Sequence, residues 1–206
     1  MVSPVDLPAA GGLVEAALAV CAGIALAAAV GLRVFVPLLV ISLAAHLGWV
    51  ELAPGSAWLG TTPALVALAV AAALEVGAYF VPAVDHALDV IATPLAVVAG
   101  ILVSAAVFVE MPGLVRWVLA VIAGGGTAGL VQGATALVRL KSGVLTGGFG
   151  NPLVAGAELA GALALAALAL LVPLAALLLA LGLTLGAFRT ARRVAFGRRA
   201  AVARDP

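Results

Sequence analysis

From Pro152 to Phe188 the chain carries one ionisable side chain, Glu158, in 37 residues. A run of that kind has few homes. Inside lipid every backbone N–H and C=O must be satisfied within the protein, which favours helices for an alanine- and leucine-rich segment. An ionisable group in such a helix is costly and by default marks a functional site. The rest of the chain agrees. Of its 206 residues 66% are hydrophobic and 9% charged, where soluble domains average about 45–50% and 25%. The expected fold is all-α, a polytopic transmembrane helical bundle, with one membrane domain over residues 1–187.

The charge is unevenly spread. Residues 1–187 hold four basic and eight acidic side chains, whereas residues 188–206 hold six arginines and Asp205. An arginine-rich end beside a membrane segment marks the cytoplasmic side. The tail 188–206 is therefore expected in the cytoplasm of a cell whose inner membrane the chain crosses several times. Anionic lipid is a natural partner there. The other expected partners are the bilayer itself, a transported ion or small solute, and further copies in a homo-oligomer; nucleic acid is not expected. Cys21 is the lone cysteine, so no intrachain disulfide can form. Leu18-Ala19-Val20-Cys21 has the outline of a lipoprotein box but lacks a basic n-region; Cys21 reads as a small packing residue.

A span needs about 20 mostly apolar residues. Leu13–Val30, Pro63–Val81, Val90–Val109 and Leu114–Val138 read as spans. Val34–Val50 is short, holds Pro37 and His46, and either crosses or dips in and returns. The run from Pro152 is too long for one straight crossing of about 30 Å at 1.5 Å per residue, yet shows no polar turn. It reads as one long tilted helix kinked near Pro173, preceded by a short helix at Pro152–Leu159. The total is about five to six spans. Polar connections are read at Glu51–Thr62, Pro82–Asp89, Glu110–Gly113 and Arg139–Asn151. Trp49, Trp58 and Trp117 suit interfacial anchors, and Arg116 a snorkelling one.

Small residues recur along Leu114–Val138: Gly124-Gly125-Gly126, Gly129 and Gly133. They serve close helix packing, or a thinned helix that brings backbone near a solute. Cys21–Arg33 aligns without gaps to Thr127–Arg139, and Pro63–Pro82 resembles Pro152–Pro173. That suggests repeat halves at 13–82 and 114–187. Three crossings between the copies would make the repeat inverted, as in many transporters.

Two polar clusters stand out. In the first, Arg139, Lys141, Ser142, Thr146 and four glycines precede Asn151, Pro152 and Glu158. Asn151 reads as a helix N-cap with Pro152 at the first position. A helix N-terminus suits an anion, and Glu158 can take a proton, hold a cation, or pair with Arg139 or Lys141. The plain alternative is a surface loop with a structural ion pair. The second cluster is Asp85-His86-x-x-Asp89, with Glu75 and Tyr79 upstream. It suits a divalent cation or a proton relay, or else a solvated turn with an N-cap Asp. Glu75 reads as reaching the interface, His46 as a hydrogen-bonded packing residue. No Walker A loop, nucleophile elbow, HExxH or CxxC is present, and no cofactor is expected.

Gly31-Leu-Arg33 with Pro37, Val81-Pro82-Ala-Val-Asp85-His86-x-x-Asp89, and Thr146-Gly147-Gly148-x-Gly150-Asn151-Pro152 followed by Glu158 resemble the bacterial integral-membrane family catalogued as domain of unknown function 4126. The resemblance covers roughly residues 14–187. The family pattern implies an acidic pair after Asn-Pro. Here Leu159 follows Glu158, which disfavours a tight divalent-metal site. The resemblance supports these sites and implies no activity.

The reading that follows is a small transporter or channel for an ion or small solute. Glu158 is its coupled carboxylate, Arg139–Asn151 its binding element, Asp85 and Asp89 a second polar station, and Arg33 a further binding candidate. The rival readings are a lipid-handling protein or membrane enzyme, with Arg139 and Lys141 gripping a phosphate, and a non-catalytic assembly factor packing through glycine faces.

Overall fold

The computed structural model describes the backbone of residues 10–78, 82–147 and 149–202, and the side chains of 12–78, 91–147, 149–186 and 188–189. No strand occurs among the described residues. In order come α1 (Ala10–Leu32), α2 (Phe35–His46), a 3-10 turn (Ala57–Gly60), α3 (Thr62–Ala78), α4 (Pro82–Val107), α5 (Gly113–Leu119), a π-helical turn (Ala120–Gly125), α6 (Gly126–Thr146), α7 (Asn151–Leu171) and α8 (Pro173–Val202). Among the described residues three helices are long and apolar enough to cross a membrane: Gly12–Leu32, Gly113–Thr146 and Asn151–Leu171. Shorter apolar helices lie at Phe35–His46, Thr62–Ala78, Ile91–Val107 and Pro173–Gly186.

Helix α1 is the axis of the molecule, packed by α4, α6, α7 and α8. Ala25 to Val30 are fully buried. Lipid tails are as apolar as leucine, so such helices gain by approaching closely rather than by escaping water. The glycines allow that approach. A Cβ on Gly31 would lie 2.7 Å from the Ala128 carbonyl, and one on Gly100 2.9 Å from that of Gly124. The Ser104 hydroxyl donates to the Gly23 carbonyl at 3.0 Å.

These contacts also fix direction. Along α1, Gly23 meets Phe108 and Gly31 meets Ala128 and Val131; Gly100 meets Ala128, and Gly124 meets Ser104. So α1 and α6 run parallel, and α4 runs against both. Cys21–Arg33 and Thr127–Arg139 therefore point the same way, and no inverted repeat follows from their alignment. Helix α7 opposes α1, because Arg33 meets Ala155 and Leu32 meets Gly161.

After Leu32 two residues, Arg33 and Val34, turn the chain into α2. Ser42 and His46 of α2 bond the carbonyls of Leu59 and Gly60. A few residues on, the Ala53 N–H donates to the Ala106 carbonyl at 2.7 Å, close to where Phe108 meets Gly23. Thus α1 and α2 form a helical hairpin. Its tip lies beside Ile91 to Leu95 of α4, well short of the α4 start at Pro82 and the α6 end at Thr146. Val34–Val50 thus runs back alongside α1 as the second arm of that hairpin.

Four expected loops or kinks differ. The glycine triplet does not interrupt its helix: a π-helical turn carries it through, and residues 113–146 form one rod. The Arg139–Thr146 stretch is the end of that rod, so the polar loop shrinks to Gly147–Gly150. Pro82–Asp89 is the first two turns of α4, and Pro94 lies inside that helix. The last run breaks at Val172, whose φ of −142° and ψ of 75° leave the helix. Pro173 has no N–H to continue the ladder. Helix α8 lies back along α1, α6 and α7, so residues 152–188 form a hairpin of two helices, without a separate short helix at 152–159. The tail continues α8 to Val202.

Candidate functional site

Among the described residues, the buried charged side chains meet at the α1–α2 tip. Arg33 is 2% exposed, Arg139 2% and Glu158 5%. The Arg139 Nε–H donates to Glu158 Oε1 at 3.1 Å. Arg33 Nη2 lies 3.7 Å from Glu158 Oε2 and donates to the Ala155 carbonyl at 2.9 Å. One carboxylate on α7 thus binds a guanidinium from the hairpin tip and another from α6. Buried charges of this kind persist only when paired, because desolvation costs several kcal/mol per ion.

Glu75, on α3, completes the group. Its Oε1 accepts the Val34 N–H at 2.7 Å and its Oε2 the Phe35 N–H at 2.9 Å. Val34 itself makes no side-chain cap, so a carboxylate some forty residues away takes the first free donors of α2. An anion at a helix N-terminus also meets the positive end of its dipole. The residue read as interfacial is instead the support of the hairpin tip, within charge range of Arg33 and Arg139.

The family-specific motif turns out to be a tight helix connection. Gly147 adopts φ 62° and caps α6 in the left-handed conformation, as C-terminal glycines do. The Thr146 hydroxyl donates to the Ser142 carbonyl at 2.7 Å and accepts the Gly150 N–H at 2.8 Å. A Cβ on Gly150 would sit 2.5 Å from Ser142 Oγ, so a larger residue there would have to displace the Ser142 hydroxyl. Asn151 is the first residue of α7 and Gly150 its N-cap, without a side-chain cap bond; the expected Asn151 cap is absent. Thr146 and Lys141 are exposed. Thr146, Lys141 and Asn151 therefore lie at the helix connection.

Asp85, His86 and Asp89 lie in the helical backbone of α4, with side chains outside the described residues. Among the described residues no group of three His, Cys, Asp or Glu is placed to hold a metal ion. His46 does bond, through Nδ1 at 3.0 Å from the Gly60 carbonyl, but is exposed. Trp49, Trp58 and Trp117 are exposed as well.

One residue escaped the sequence reading. Gln132 is 1% exposed, and its amide nitrogen has no hydrogen-bond partner among the described residues. It precedes Arg139 by seven residues, about two turns, and so shares its face of α6. Its signal was the amide inside an apolar span.

A family model described as domain of unknown function (DUF4126) matches residues 20–193. No curated protein and no solved structure matches the chain.

Proposed function

The chain belongs to the DUF4126 family, a membership that brings no activity with it, and from the site geometry we propose a membrane transporter or channel for a small anion. The observation that carries this reading is the pair of buried arginines on one carboxylate. Arginine forks match planar oxygen anions, and Glu158 fills the position such an anion would take between them. In this reading Glu158 swings aside or takes a proton when the anion enters, and Gln132 extends the polar face of α6 inward. The glycine-rich connection acts as a hinge-free clamp holding α6 to α7, rather than as the binding element.

The reading includes an orientation. Helix α8 returns along α7, so its arginine-rich end lies on the same side as the α6–α7 connection and Lys141. Both positive stretches then fall in the cytoplasm, as the positive-inside rule asks.

Purified protein in proteoliposomes tests the reading with halide, nitrate, formate and bicarbonate. Flux of at least one anion is expected, reduced about tenfold or more in Arg139→Lys, which keeps the charge and loses the planar fork. No flux for the whole panel, or wild-type flux in a folded Arg139→Lys, would argue against it.

A further inference from the structure

Helix α3 lies against α2 and the 3-10 turn, and among its described residues Ala72 is the buried one. Among the described residues it does not pack closely along α4. Between the two helices is a cavity of about 390 Å³, walled by Ala71 and Leu74 of α3 and by Ile91, Ala92 and Leu95 of α4, with Phe35 of the hairpin tip at its end. Its size falls within the roughly 300–1,000 Å³ of small-molecule sites.

The chemistry of the walls selects the occupant. Glu75 also lines the cavity, but both its oxygens are engaged by the backbone N–H groups of α2. What remains is apolar surface. Leu74 and Ile91, at the mouth, are 68% and 61% exposed, so the cavity opens sideways, away from the bundle. Water would find too few polar partners inside. An empty space would forfeit dispersion contacts on every wall. In a chain of membrane helices the opening faces hydrocarbon. We propose that the cleft between α3 and α4 binds one acyl chain of a bilayer lipid, inserted from the side and seated against Phe35. The chain supplies the packing that α3 lacks on this flank and steadies Glu75 against α2. The proposal is independent of the anion reading.

The full-length protein is purified in mild detergent, delipidated by exchange, and its retained lipid measured by native mass spectrometry. Wild type is expected to keep a tightly held lipid that Ala92→Phe, which fills the cleft, largely loses. Ala71→Phe fills it from the peripheral helix and serves as a second variant should Ala92→Phe unfold. Reconstitution with phospholipid brominated on its chains gives a second readout. A tryptophan at Leu74→Trp is expected to be quenched more strongly than one at Leu153→Trp on α7. Equal retention in wild type and both filled variants would overturn the proposal. So would quantitative Leu74→Cys cross-linking between two copies in a Cys21→Ala background, which would show that a second chain covers the cleft.

Discussion

At the scale of single residues, Glu158 answers to two arginines at once. Removing its charge leaves both guanidiniums buried with less compensation than before. Glu158→Gln is therefore expected to lower stability by about 3–5 kcal/mol, the usual cost of breaking a buried pair from one side. Denaturant or thermal unfolding in detergent reads this directly. A cycle with Arg139→Gln should show strong coupling, since the first substitution already removes what the second would lose. Glu75→Gln makes a different test. Its amide keeps one acceptor for the two N–H groups of Val34 and Phe35 and turns a donor toward the other. A loss of about 1–3 kcal/mol is expected from that unmet backbone donor. Arg33, Arg139 and Glu158 were legible in the sequence because charge is rare in apolar helices. The role of Glu75 was not, because its partners lie forty residues away and are backbone groups that no side-chain pattern reveals.

At the scale of elements, glycine separates into two kinds that the sequence does not distinguish. Gly100 faces the Gly124 carbonyl and the Ala128 methyl across the α4–α6 contact, while a Cβ on Gly156 of α7 would meet nothing within 4 Å. Gly100→Ala should force α4 and α6 apart and destabilise by about 1–3 kcal/mol, as overpacking does. Gly156→Ala should be neutral or gain up to about 1 kcal/mol of helix propensity. Equal melting shifts for the two would mean that the close approach contributes little. The same distinction bears on the glycine-rich motif. Its density of polar and small residues reads as a flexible binding loop. Yet α6 simply continues through Arg139 to Thr146, and the glycines serve one left-handed cap and one contact with Ser142. The break at Val172 was legible in place, through Pro173, but not in kind. A proline marks where the ladder fails, and the packing of α8 against α1 and α6 decides that the chain turns back.

At the scale of the whole molecule, that reversal changes what the charge pattern means. One long kinked helix would put the connection carrying Lys141 on the side opposite the arginine-rich tail, against the usual bias. A hairpin at Val172 puts them together and removes the conflict. The loop before α3 lies at the other end, because α2 runs down from the hairpin tip toward the end of α4. In a Cys21→Ala background, cysteines at Thr146 and Arg189 should react with a membrane-impermeant maleimide from the same side, and one at Gly55 from the other. Labelling of Thr146 and Arg189 from opposite sides would restore the single long helix and separate the two positive stretches. Composition alone fixes a membrane-suited helical chain, since so few polar groups cannot cover a soluble surface. Direction is a different matter. It follows from which small residue meets which carbonyl, and in an alanine-rich chain many registers look alike until the helices pack.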